Sequence, residues 1–118
     1  MKIALDFENV LTKNKGFDFA NDLLNEGVEV HIITSRIGHI KSEQNRDLLK
    51  VVRDLNLPYS NVIFTLNKQG YFANHSGFKF YASDNMIDLQ LVDKDVNCIP
   101  VFGNNNWISD CLDLVADR

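Results

Sequence analysis

The sequence is poor in the residues that most often build disulfide frameworks and metal sites. Cys98 and Cys111 are its only cysteines. They form no C-x-x-C pair and no zinc spacing, so they read as two reduced thiols in apolar surroundings. His31, His39 and His75 are scattered, and no triad or metal cluster rests on them. His31 reads as an ordinary member of an apolar strand. No apolar run approaches the roughly 18 residues that span a bilayer. The start, Met-Lys-Ile-Ala-Leu-Asp, meets an acid at residue 6 before a secretory h-region can form. These absences predict a cytoplasmic protein without membrane contact. Positive charge is not in excess either: 12 Lys+Arg against 16 Asp+Glu give a net charge of −4. That argues against a protein that coats nucleic acid non-specifically, though not against a local basic groove. No Gly-x-Gly-x-x-Gly follows the first apolar run, so a dinucleotide-binding domain is disfavoured. There is no internal repeat and no low-complexity segment. Asn104-Asn105-Asn106 reads as a loop plus a helix cap.

What is present suits one domain. At 118 residues, 45% hydrophobic and 24% charged, residues 1–118 are expected to bury one real core, with no room for a second domain. Strand and helix patterns alternate along the chain. Ile3-Ala4-Leu5 is a short apolar run ending at Asp6. Gly16 to Glu26 is helix-like, with Phe19, Leu23 and Leu24 on one face and Gly27 as its stop. Val28 to Ile33 suits a buried parallel strand. Lys41 to Asn56 places Leu48, Leu49, Val52 and Leu55 at helical spacing, with Ser42 as N-cap and Leu57-Pro58 as the end. Asn61 to Thr65 reads as a strand, Lys68 to His75 as a short helix closed near Gly77, and Phe78 to Ala82 as a strand. Asn85 to Val92 gives a helical turn or two, and Asn97 to Phe102 a strand. Trp107 to Ala116 is a last helix with Ile108, Cys111, Leu112 and Val115 facing inward. Five strand-helix units predict an α/β fold: a single-domain, three-layer α/β/α Rossmann-like arrangement on a five-stranded parallel sheet with right-handed crossovers.

Ligands of open α/β sheets bind beyond the carboxyl ends of the strands. Asp6, Glu8 and Asn9 follow the first strand. Thr34, Ser35 and Arg36 follow the second. Thr65, Asn67 and Lys68 follow the third. Ser83, Asp84, Asn85 and Asp88 follow the fourth, and Asn104 to Asn106 the fifth. Four strands in succession thus deliver a carboxylate pair, a hydroxyl pair, a lysine and a second carboxylate pair. An acid at the end of a buried strand is costly without a partner, which marks Asp6. Glu8 and Asp88 are each open to a plainer reading, as a loop acid and an exposed helix position. Thr34 and Ser35 are open to backbone bonding at a strand end. Arg36 is suited either to a phosphate or to pairing with an acid. Lys79, inside Phe78-Lys79-Phe80, is expected to point to solvent or cover a sheet edge, whereas Lys68 opens a helix after a strand and is better aimed at a site. The basic run Arg36, Lys41, Arg46, Lys50 and Arg53, interleaved with Glu43, Asp47 and Asp54, reads as a solvated helix face with i,i+3 and i,i+4 pairs.

The order of these residues resembles the haloacid dehalogenase (HAD) superfamily of phosphotransferases. Asp6-Phe7-Glu8-Asn9-Val10-Leu11-Thr12 resembles its first motif, Asp-x-Asp-x-Thr/Val. Ile32-Ile33-Thr34-Ser35-Arg36 resembles the second, Lys68 the third, and Ser83-Asp84-Asn85-Met86-Ile87-Asp88 the fourth. The likeness runs over essentially the whole chain, with two departures: Glu8 stands for the usual Asp, and Asn9 for the glycine that normally follows it.

The resemblance implies a Mg²⁺-dependent phosphomonoester hydrolase acting through an aspartyl-phosphate. On that pattern Asp6 is the nucleophile, and Glu8 the general acid/base. Thr34, with Ser35 beside it, and Lys68 bind the phosphoryl group. Asp6, the Glu8 backbone carbonyl and Asp84 hold Mg²⁺, with Asp88 acting through water or orienting a ligand. Relatives insert a cap after the first motif or between the second and third. Here only Asn9 to Lys15 lies at the first position, and one helix and one strand at the second, so the resemblance implies a capless branch with an open cleft. An open cleft suits a bulky phosphorylated substrate such as a nucleic-acid end or a protein, or calls for a partner subunit; a small molecule remains an alternative substrate. Two rivals stand beside this expectation. A PIN or NYN nuclease also places Asn three residues after an Asp, as Asp6 and Asn9 do, with Asp84 and Asp88 completing a metal site, but it has no use for Thr34 or Lys68. A degenerate relative would keep the phosphate pocket without catalysis.

Overall fold

A computed structural model describes residues 1–13 and 15–116. Its strands are β1 (Lys2–Asp6), β2 (Glu29–Thr34), β3 (Val62–Phe64), β4 (Phe78–Ser83) and β5 (Cys98–Pro100). Its α-helices are α1 (Gly16–Asn25), α2 (Arg46–Asp54), α3 (Lys68–Asn74), α4 (Met86–Val92) and α5 (Trp107–Ala116). The five strands form one sheet in the order β3-β2-β1-β4-β5, and every neighbouring pair is parallel. The central strand is therefore the first, and the loops after β1, β2 and β4 open side by side at its carboxyl end.

Period-two alternation divides the apolar side chains between the sheet's two faces. Ile3 and Leu5 of β1, Val30 and Ile32 of β2, and Phe80 and Ala82 of β4 face α1, α2 and α5, which contribute Phe19, Leu23, Leu48, Val52, Trp107, Cys111 and Val115. Ala4, Ile33 and Tyr81 face the other way, onto Phe72 of α3 and Leu89 and Val92 of α4. Helices on both faces make this a three-layer Rossmann-like domain. β4 departs from strict alternation. Lys2 pairs with Phe78 but Ala4 with Tyr81, so β4 carries one extra residue between them. This bulge puts Phe78 and Tyr81 on the same face although they are three apart.

Several elements are shorter than their sequence patterns. The helix expected from Lys41 begins as a single 3-10 turn over Glu43–Asn45 and becomes α-helical at Arg46. Ser42 does not cap it. Its Oγ accepts from the His39 backbone amide at 2.9 Å, and the Asn45 side-chain Nδ2 donates to the carbonyls of Ile37 and His39. Those bonds hold residues 37–45 as a folded loop. Leu112 is exposed, not inward, because the buried stripe of α5 runs through Trp107, Cys111 and Val115 at i,i+4 spacing and leaves it on the flank. β5 stops at Pro100, and Phe102 turns out to solvent. Lys79 does not lie on a sheet edge, since β4 is flanked by both β1 and β5. Among the described residues no helix is long and apolar enough to cross a membrane.

Candidate active site

A cleft of about 700 Å³ opens at the carboxyl edge of the sheet. The end of β1 and the turn after it lend Asp6, Glu8 and Asn9; the end of β2 and the loop after it lend Thr34, Ser35 and Arg36. Lys68 comes from the start of α3, and Asp84, Asn85, Met86 and Ile87 follow β4. Of the residues given a role in the sequence, Asp6, Glu8, Thr34, Ser35, Lys68 and Asp84 line this cleft and Asp88 joins it through Lys68; Thr65, Asn67, Ser83 and Asn104 to Asn106, which also follow strands, do not line it.

Local chemistry explains the convergence. After Asp6 the chain makes a tight five-residue turn, Phe7–Leu11, with Phe7, Val10 and Leu11 buried. Within it Asn9 has φ 60° and ψ 6°. That left-handed conformation is free for glycine and tolerated by asparagine, so Asn9 takes the geometry a glycine would take at that place. The Asn9 amide donates to Thr12 Oγ1 at 3.0 Å, closing the turn. Gly16 must be small: a Cβ there would sit 1.8 Å from the Val10 carbonyl oxygen. The same close approach clamps the turn onto α1. Further along, Asn67 Oδ1 accepts from the Gly70 amide at 2.9 Å and starts α3, so Lys68 is its first residue. Asn85 Oδ1 accepts from the amides of Ile87 and Asp88 at 3.0 and 3.2 Å and starts α4. Two Asn caps thus set Lys68 and Asp88 opposite each other.

The floor of the cleft is buried. Asp6 and Lys68 are 5% and 6% exposed. Lys68 Nζ lies 2.5 Å from Asp88 Oδ2 and 3.7 Å from Asp6 Oδ2. Ser83 Oγ donates to Asp6 Oδ2 at 2.9 Å and accepts from the Asn85 amide at 3.0 Å. Neither of these Asp6 contacts uses Oδ1. Burial raises the pKa of Asp6 above its ordinary value; Lys68 and the Ser83 bond oppose the rise, and the Asp88 and Glu8 charges add to it. Thr34, fully buried, accepts the Arg36 amide on Oγ1 at 3.1 Å, which leaves its hydroxyl proton to donate. Ser35 lines the cleft from an exposed position, and Asp84 from a half-buried one.

On the other wall Arg36 pairs with acids. Its Nε donates to Glu8 Oε1 at 2.6 Å, and its two terminal nitrogens grip Asp47 at 2.5 and 2.9 Å. The guanidinium carbon stands 4.8 Å from the centre of the Phe7 ring. Its carboxylate partners hold the Arg36 pKa above the usual value, and Arg36 holds that of Asp47 below it. Glu43–Arg46 and Lys50–Asp54 form the expected helical pairs, but Asp47 leaves the helix face to meet Arg36.

Two partners of the site residues were named in the sequence but given no role there. Ser83 is one. Its signal is a small hydroxyl ending an apolar strand directly before Asp84, and its significance depends on β4 lying beside β1. Asp47 is the other, hidden among ordinary helix-surface charges.

The oxygen-only donors here suit a hard dication, which takes carboxylates and carbonyls and keeps several waters. Asp6 and Asp84 line one cleft with the Glu8 segment between the loops. Among the described residues no three His, Cys, Asp or Glu side chains gather closely enough to hold a metal by themselves. The fit therefore rests on two carboxylates plus a main-chain oxygen. Compared with protein-family models, curated proteins and solved structures, the chain matches none.

Proposed function

We propose that the chain is a Mg²⁺-dependent phosphomonoester hydrolase of the HAD-like, capless type, working through an aspartyl-phosphate on Asp6. The observation that carries this reading is the lysine: Lys68 Nζ, from the first residue of α3, lies 3.7 Å from Asp6 Oδ2. A nuclease of the PIN or NYN kind has no use for that ammonium. Asp6 Oδ1 attacks phosphorus as the bond to the leaving oxygen breaks, and Glu8 supplies the proton that oxygen takes. Water then attacks the phosphorus of the aspartyl-phosphate, Glu8 accepts its proton, and Asp6 is restored. Lys68 and the Thr34 hydroxyl neutralise charge on the transferring oxygens, with Ser35 at the rim. Asp6, Asp84 and the Glu8 carbonyl would hold Mg²⁺, with Asp88 positioning Lys68 beside it. The ion, when bound, supplies positive charge against the phosphoryl oxygens.

Purified protein is expected to release phosphate from an aryl phosphate, to stop in EDTA, and to lose more than about a thousandfold in Asp6→Asn. Absence of release together with failure to trap beryllofluoride overturns the reading. A second reading, phosphate binding without turnover, is favoured by the Arg36–Glu8 ion pair, which commits one oxygen of the acid/base. It predicts that phosphate or a phosphonate binds in the cleft while no phosphomonoester is cleaved.

A further inference from the structure

The cleft has a polar floor and a greasy mouth. Five of the exposed large apolar side chains stand in segments that follow strands: Ile37 after β2, Leu66 after β3, Met86 and Ile87 after β4, and Phe102 after β5. Met86 and Ile87 line the cleft itself, and Ile87 is 68% exposed there. Phe102, 72% exposed, lines an adjoining groove that shares Asp84 with the cleft. An apolar surface of this kind, contiguous with a polar site, is a place where a ligand's own apolar part is sheltered from water. Charge points the same way. The two cations among the residues lining the cleft are already engaged: Lys68 by Asp88 and Asp6, and Arg36 by Glu8 and Asp47. The cleft mouth at Met86 and Ile87 therefore offers apolar surface to the leaving group and little positive charge to a second phosphate; the adjoining groove carries one cation, Lys15.

The geometry points to a substrate class: a phosphomonoester with a large apolar or aromatic leaving group, laid across Met86 and Ile87 toward Phe102. This rests on the phosphatase reading for the phosphoryl end, and extends it to the part of the substrate that does not react. Side-chain burial at such a shelf adds roughly tenfold in affinity for each well-placed apolar group.

Phosphonates test the inference without turnover. Naphthylphosphonate is expected to bind at least tenfold more tightly than methylphosphonate by calorimetry, and Ile87→Ser, at an exposed position outside the polar floor, to erase most of that difference. Phe102→Ser is expected to reduce it less. Equal binding of the two phosphonates overturns the inference, as does a preference that survives both substitutions. A 5′- or 3′-phosphorylated oligonucleotide that outcompetes naphthylphosphonate, and loses its advantage in Lys15→Ala on the wall of the adjoining groove, overturns it in favour of a nucleic-acid end. If naphthylphosphonate is preferred through Ile87 while no phosphomonoester is hydrolysed, the substrate inference stands and the catalytic reading falls.

Discussion

Two walls of the cleft carry the same charge pattern, a cation held between two carboxylates. On one wall Lys68 lies between Asp6 and Asp88; on the other Arg36 lies between Glu8 and Asp47. Burial separates them. The side chains of Lys68, Asp6 and Asp88 are 6%, 7% and 20% exposed, and those of Arg36, Glu8 and Asp47 are 24%, 50% and 59%. In water such a trio contributes little, because solvent screens the charges and ordering long side chains costs entropy. In a desolvated floor the same trio is expensive to assemble and more expensive to break. The comparison teaches that the Lys68 wall holds desolvated charge, which the proposed reading uses for chemistry, while the Arg36 wall ties down a surface loop.

The largest break in this comparison comes from Lys68→Met. It leaves two buried carboxylates without their cation and is expected to cost about 3 kcal/mol in urea unfolding at neutral pH. The loss shrinks in acid, where Asp6, whose pKa burial raises, takes up a proton instead. A cost below about 1 kcal/mol would mean that the two walls are energetically alike.

Asp6→Asn comes next, and it separates stability from activity. Burial raises the folded pKa of Asp6 above its ordinary 3.8, so the native state binds more protons than the unfolded chain between the two values. The stability it contributes is complete below the unfolded value and is lost as pH rises through the folded one. In EDTA, the variant is expected to gain stability relative to the parent as pH rises from about 4 to 7, while on the proposed reading it loses phosphatase activity. Unfolding curves across that range check the sign, and a variant that grows relatively less stable reverses it.

The smallest effect is expected from Arg36→Ala. Its partners are half-exposed, so the cost is about 1 kcal/mol or less and falls in high salt. Salt should leave the Lys68→Met cost nearly unchanged, which makes ionic strength a direct way to tell the two walls apart.

The sequence made the fold legible because its strands are short and apolar and end in polar residues. Asp6, Thr34, Lys68 and Asp84 could each be placed at a strand's carboxyl end from local pattern, and they meet in one cleft. What local pattern carries poorly is partnership between distant residues. Ser83 supports Asp6 only because β1 and β4 are neighbours, 77 residues apart along the chain. Asp88 reads as an exposed helix position until Lys68 is seen opposite it. Asp47 sits among helix-surface charges with ordinary partners, and only the return of the 37–45 loop brings Arg36 to it. Ser42 misleads for a related reason: its hydroxyl has the chemistry of a cap but is spent on the His39 amide.

The order of strands also bears on how the chain reaches this state. β1 is the first strand made and the central one in the sheet, with β2 on one side and β4 on the other. Its pairing with β2 can form early. Its other side stays open until residues 78–83 arrive, more than seventy residues after it. During that interval the wholly apolar Ile3-Ala4-Leu5 presents an unpaired ladder, a template for the same segment of another chain. Non-local parallel pairing of this kind is slow to form. The arrival of β4 therefore does two things in one event: it removes a sticky edge from the half-made sheet, and it brings Ser83 beneath Asp6. In this topology the strand that covers the open side of β1 is the same strand that carries Ser83 to Asp6.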